Sequence, residues 1–181
     1  GASLSARHTL YPLGSHYDID VLDPNPLCQC RFSSFVRRFI QSPSFAREPV
    51  KFLRFVMQLA RSGRYDVLLP THEQTYLLSR FRDAFTPHVG LALPDFAAQE
   101  RLQNKANFSC LLDELGLPQP ETHTVRTRAE LDRAWNYPLY VKLAHSTAGG
   151  GVFHVEDEKA MRERADWLEA NQLLLGNTEV L

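Results

Sequence analysis

Cysteine is scarce in this sequence, with Cys28, Cys30 and Cys110 the only three among 181 residues. The first two form C-x-C, which has neither the spacing of a common zinc knuckle nor that of the C-x-x-C redox motif. An odd, sparse set argues against a disulfide framework and for buried thiols in a reducing, cytoplasmic compartment. No uninterrupted apolar run approaches the roughly 20 residues of a membrane-spanning helix, and no basic-then-apolar leader opens the chain. An excess of charge of one sign is also missing. Twenty basic and 21 acidic residues leave a net charge of −1, which speaks against an electrostatically driven nucleic-acid binder. The seven histidines are scattered, without an H-x-x-x-H pair, so no metal site is expected. Neither a P-loop nor a G-x-G-x-x-G fingerprint occurs.

What is present is a globular composition. Hydrophobic residues make up 44% and charged residues 23%, which excludes disorder and provides a core for one domain or two small ones. Ile19–Leu22 reads as a short strand stopped by Asp23-Pro-Asn-Pro26. Phe52, Phe55, Val56 and Leu59 form a helical stripe that Gly63 terminates. Val67-Leu-Leu69 and Val89–Leu93 read as short buried strands. Thr71-x-x-Gln74 has the form of a capping box opening a helix to about Arg82, and Asp95 of a further N-cap. Alternation of this kind predicts an α/β layer with a mostly parallel sheet. Gly1-Ala2-Ser3 reads as the turn after an absent first strand.

The character changes near residue 104. Asn104 can cap a helix with the stripe Phe108, Leu111, Leu112, Leu115, stopped by Gly116 and Pro118. Thr122–Val125 is strand-like, and Thr127-x-x-Glu130 is a second capping box. Leu139–Ala144 and Val152–Val155 read as strands, Asp157 as the cap of a helix in which Met161, Ala165 and Leu168 share a face, and Glu179-Val-Leu181 as the start of another strand.

The chemistry concentrates in Tyr140-Val-Lys142-Leu-Ala-His-Ser146-Thr147-Ala-Gly149-Gly150-Gly151-Val152. A strand lysine supplies a fixed ammonium charge suited to a phosphate. Successive glycines let backbone N–H groups fold over an anion without Cβ clashes. Taken alone, a flexible hairpin loop beside a surface lysine explains the stretch equally well. In Phe35-Val-Arg37-Arg38-Phe39, aromatics alternate with bases as in single-strand binders, but two arginines are few, and a half-buried strand with a solvated face is the better reading.

The ordered set Asn104-Lys105-x-x-Phe108, Leu112-x-x-Leu115-Gly-Leu-Pro118-x-Pro120-x-Thr122, Pro138-Leu-Tyr-Val-Lys142 and Gly149-Gly-Gly-Val152 resembles the ATP-grasp superfamily. The branch it resembles contains carbamoyl-phosphate synthase large subunits, biotin carboxylases and carboxylate–amine ligases. The resemblance implies a Rossmann-like pre-ATP-grasp domain over residues 1–103 and a small α+β ATP-grasp subdomain over 104–181, cut short at its C-terminal end. It puts Lys105 and Lys142 on ATP phosphates, with Gly149, Gly150 and Gly151 as a closing loop and Ser146 and Thr147 as added hydroxyl donors. Glu73, at a helix start above a strand end, would face the acceptor substrate, although a solvated, capped helix start explains it as well. Leu143 stands where the family usually has proline, and Ala148–Val152 lacks the family's basic loop residue.

The implied function is an ATP-dependent ligase that activates a carboxylate as an acyl phosphate for attack by an amine. Its expected cofactors are ATP and Mg²⁺, and its partners are small-molecule carboxylate and amine substrates, with a homodimer compatible. The family's adenine hinge and its metal-binding Glu and Glu-x-Asn would lie beyond Leu181, so the 181 residues by themselves are expected to be inactive, with no catalytic residue or metal ligand of their own. The alternative is a non-catalytic nucleotide- or metabolite-binding module. A dinucleotide-binding dehydrogenase falls behind both, for want of its glycine fingerprint.

Overall fold

Ser3 accepts a hydrogen bond from the Ala6 N–H and so caps helix α1 (Leu4–Leu13). The computed structural model describes residues 3–146 and 149–174, so the turn and strand read at Gly1–Ala2 and Glu179–Leu181 lie outside the described residues. The chain divides into two units, Gly1–Phe96 and Ala97–Leu181.

In the first unit, α1 packs near strand β1 (Ile19–Asp23), and the expected stop after it is a pair of side-chain turns. Asn25 N–H donates to Asp23 Oδ1 and Leu27 N–H to Asn25 Oδ1. A 3₁₀ turn (Gln29–Phe32) leads into strand β2 (Val36–Gln41), which pairs parallel with β1. Leu10, Val21, Cys28 and Cys30 form the core here. Both thiols are buried and free, and burial pushes the Cys30 thiol above its ordinary pKa.

Helix α2 (Pro49–Arg61) buries Phe52, Val56 and Ala60. Gly63 follows at φ +67°, a conformation that costs a glycine little. Leu78 and Phe85 complete this core from α3 (Gln74–Arg80) and α4 (Arg82–Phe85).

Three local expectations fail in this unit. Val67–Leu69 and Val89–Leu93 are not buried strands. They meet in one parallel bridge, Val67 to Gly90, through Leu68 N–H to the Gly90 carbonyl and Gly90 N–H to the Asp66 carbonyl. With period 2, only Leu68 turns to the core, while Val67 and Leu69 are exposed. Pro70 and Pro94, which lack N–H donors, limit further pairing. The Thr71–Gln74 box is not formed either. Glu73, already in helical conformation, holds the N-cap position without a side-chain bond, so Gln74 stands at the first helical position and not the third. The helix also ends at Arg80, and α4 is a separate turn.

The second unit follows its sequence more closely. Helix α5 (Phe96–Gln103) starts directly after Asp95. Asn104 caps α6 (Lys105–Glu114) by accepting from the Ala106 and Asn107 N–H groups. Gly116 ends the helix at φ +63°, with Leu117 N–H returning to the Leu112 carbonyl. The α6 stripe is not a core face, since Phe108 and Leu115 are exposed and Ala106 is the buried residue. Among the described residues, Thr122–Val125 makes its ladder contact only at Val125.

Thr127 and Glu130 form the expected capping box on α7 (Arg128–Leu131). Strands β3 (Leu139–Lys142) and β4 (Val152–Val155) pair antiparallel, with Lys142 opposite Val152. Asp157 caps α8 (Glu158–Ala170), which lays Met161, Ala165 and Leu168 on Val125, Leu131, Val141 and Val155. The class is mixed α/β with a parallel sheet, as composition and alternation imply.

Candidate functional site

The residues singled out between 104 and 151 assemble around the β3–β4 connection. The Asn104 cap fixes the first turn of α6, so Lys105 stands at its first position, and its backbone N–H donates to the Ala144 carbonyl at 3.0 Å. The Lys105 ammonium is 2.9 Å from Ser146 Oγ and 3.3 Å from the Ser146 carbonyl, with the Ala144 carbonyl at 3.5 Å. Its three donors are thereby turned onto the loop that follows Lys142. Burial, reinforced by the positive charge of Lys142, holds the Lys105 pKa below the usual lysine value.

Lys142 ends β3, half-buried. One residue on, Leu143 N–H donates to the Gly151 carbonyl at 2.8 Å and closes the loop at its base. Gly151 is buried, and a Cβ there would lie 2.6 Å from Ser146 Cβ and 2.8 Å from its Oγ, so only glycine fits. Gly149 is needed for a different reason, its φ of +78°. Gly149 and Gly150 are exposed, and the Gly149 carbonyl accepts from Val152 N–H. Thr147 lies outside the described residues.

Sequence reasoning passed over His145. Its ring lies 3.4 Å from the Asn104 side-chain amide and ties the helix cap to the loop. The signal was its place between Lys142 and Ser146, but a single histidine in a loop does not announce a partner 41 residues away. Glu73 belongs to the other unit, where it heads α3 and pairs with His72.

This arrangement brings the Lys105 ammonium, the Ser146 hydroxyl and the glycine loop together after the strand that Lys142 ends. Repulsion between the lysines falls when an anion binds between them. Among the described residues no group of three or more His, Cys, Asp or Glu could hold a metal ion, and no helix is long and apolar enough to cross a membrane.

No protein-family model matches the chain. Its fold is similar to that of an L-amino acid ligase from Bacillus licheniformis, with a TM-score of 0.61 and 22% identity over 81% of this chain and 32% of that one. It is also similar to the biotin carboxylase domain of 2-oxoglutarate carboxylase from Hydrogenobacter thermophilus, solved as a dimer with MgADP, ADP and bicarbonate. There the TM-score is 0.65 and the identity 14%, over 97% of this chain and 41% of that one. The chain thus spans less than half the length of either, and identities this low speak for the fold alone.

Proposed function

We propose that this chain contributes the phosphate grip of an ATP-dependent ligase that activates a carboxylate as an acyl phosphate and passes the acyl group to an amine. The observation that carries the reading is the Lys105 ammonium, held 2.9 Å from Ser146 Oγ beside Lys142 and the Gly149–Gly151 loop. The fold shared with an amino acid ligase and with a carboxylase domain solved with MgADP supports it.

In this reading ATP transfers its γ-phosphoryl group to the carboxylate, and the amine then displaces phosphate. Lys105 and Lys142 neutralise the phosphate oxygens, and the glycine loop lets backbone N–H groups approach them. On binding, the Lys105 ammonium exchanges the Ser146 oxygens for phosphate oxygens of the nucleotide. Mg²⁺ would supply charge neutralisation on the β- and γ-phosphates, through carboxylates of the whole protein beyond the described residues. A homodimer and a cytoplasmic location belong to the same proposal.

Calorimetric titration with ATP and ADP tests the grip, comparing the chain with its Lys142→Ala variant. Weaker binding at an unchanged melting temperature supports it, and unchanged affinity ends it. In the whole protein, ADP release that requires both a carboxylate and an amine supports the ligase reading. Nucleotide binding without turnover across a panel of carboxylate–amine pairs would favour a non-catalytic module.

A further inference from the structure

Arg37 and Arg38 are adjacent in β2, and in a regular strand they would point to opposite faces. Here they share one carboxylate. The register passes from Ile19 opposite Val36 to Asp20 opposite Arg38, one step on β1 against two on β2. That is a β-bulge, with Arg37 as the extra residue, and bulges re-aim side chains. The side chain of Asp20 is 1% exposed. Arg37 Nε donates to its Oδ1 at 3.0 Å, and Arg38 Nε and Nη2 donate to its Oδ2 at 3.2 and 2.8 Å. The Tyr65 hydroxyl donates to the same Oδ2 and accepts from Arg38 Nη2, each at 2.8 Å.

Both guanidiniums are thus locked in orientation from beneath while about half their surface stays open, at 51% and 48% exposure. They line a cleft of about 540 Å³ together with Arg64, which Gly63 turns out of α2. The Arg64 guanidinium has no partner among the described residues, and the bonds to Asp20 and Tyr65, with that of Arg37 Nη1 to Asp18, leave Arg37 Nη2 and Arg38 Nη1 undirected. Three arginines stand over one buried carboxylate, and with Asp18 counted one positive charge is left uncompensated. Asp18 meets Arg37 at 3.3 Å, but its side chain is 83% exposed, so solvent screens that pair.

We propose that the Arg37–Arg38–Arg64 cleft is a second anion site, one that takes the dianionic phosphate group of a small phosphorylated molecule. Planar forks held in place by Asp20 and Tyr65 give directional donors at little entropic cost, the preference of arginine over lysine at phosphates. Several guanidinium forks lining one opening suit a tetrahedral dianion, whereas a single carboxylate needs only one. A net charge of −1 gives the chain no overall attraction to a nucleic-acid backbone. This site stands in a different unit from Lys105 and Lys142, and it does not depend on the ligase reading.

The test uses the full 181-residue chain carrying Lys105→Met and Lys142→Met, so that phosphate bound at that loop does not contribute. Inorganic phosphate is titrated while the arginine Nε–H signals are followed by NMR, and phenylglyoxal modification of Arg64 is mapped with and without phosphate. The expected result is saturable shifts of the Arg37, Arg38 and Arg64 signals and protection of Arg64. Adding Arg64→Gln, which breaks no bond of the Asp20 clamp, should weaken phosphate roughly tenfold without moving the melting temperature. Absence of saturable shifts, or an affinity indifferent to Arg64→Gln, overturns the proposal. A single-stranded oligonucleotide that shifts the same signals at lower concentration than phosphate overturns it in favour of a nucleic-acid backbone.

Discussion

Lys105 owes its lowered pKa first to burial and then to Lys142, so the two contributions can be separated. Lys142→Ala removes the repulsion alone and should move the Lys105 pKa up towards the ordinary lysine value. A pH titration of the Lys105 Cε signal by NMR reads this, and no change would place the two charges too far apart to share an anion. On the proposed function, the same substitution weakens ATP binding by about 1–3 kcal/mol, the range for hydrogen bonds to charged groups. It should leave folding almost untouched, since a half-buried strand lysine adds little to a core. The loop glycines differ in what they forbid. Gly151→Ala meets Ser146 and Leu143 and should cost about 1–3 kcal/mol through overpacking. Gly149→Ala has open space around it and pays only for its left-handed backbone, about 1–2 kcal/mol. Urea denaturation of both variants, with ADP affinity measured alongside, separates a packing role from backbone freedom. The lysines and glycines were legible because phosphate chemistry favours those residue types. His145 and Asp20 were not, because each acts through a partner far away in sequence, and at Asp20 through a bulge that no periodicity encodes.

Two capping signals of nearly equal quality had opposite outcomes, which shows what local sequence can specify. At Thr127–Glu130 the box forms, because Thr127 is extended, at φ −131° and ψ 157°, and Glu130 falls on the third helical position. At Thr71–Gln74 the chain enters its helix two residues late, so the same letters lose their geometry. Tertiary contacts decide that register, here through the bridge at Gly90 and the core around Leu78. Short apolar runs fare similarly. Val152–Val155 becomes a strand because β3 lies beside it, whereas Val67–Leu69 finds one bridge and leaves two of its three side chains in water. Thr127→Ala should therefore cost about 1 kcal/mol, read as a lower urea midpoint at unchanged slope. Thr71→Ala should cost almost nothing. An equal loss from both would mean that the Thr71 side chain caps after all. Asn104→Ala reaches further, since Asn104 holds both the α6 N–H groups and His145. Its loss should lower stability by about 1–2 kcal/mol and also loosen nucleotide binding, because Lys105 is the next residue.

For the whole molecule, the shifted groups define how stability depends on pH. Burial alone would raise the Asp20 pKa, but the hydrogen bonds from Arg37, Tyr65 and Arg38 outweigh it and hold it below its ordinary 3.8. Glu130, accepting from the Arg126 and Thr127 N–H groups, lies below its ordinary 4.5. Both carboxylates bind fewer protons folded than unfolded. Their contribution is full above those ordinary values and disappears as pH falls through the lowered ones. At the other end, burial raises Cys30 above 9.0 and Tyr65 above 10.0, so the folded chain keeps protons that the unfolded chain releases. Stability from these groups is lost as pH climbs past 9. Lys105, lowered from 10.5, acts in the opposite sense, because the folded chain sheds its proton first and gains stability as pH rises towards 10.5. The melting temperature should accordingly hold a plateau between about pH 5 and 8 and fall on both sides. Asp20→Asn separates the contributions. The amide cannot titrate, so the acid limb should flatten while the plateau itself drops, since two guanidiniums then share an uncharged partner. Melting curves from pH 2 to 7 for both proteins check this. An acid limb that keeps its full slope in the variant would mean that carboxylates other than Asp20 govern acid unfolding.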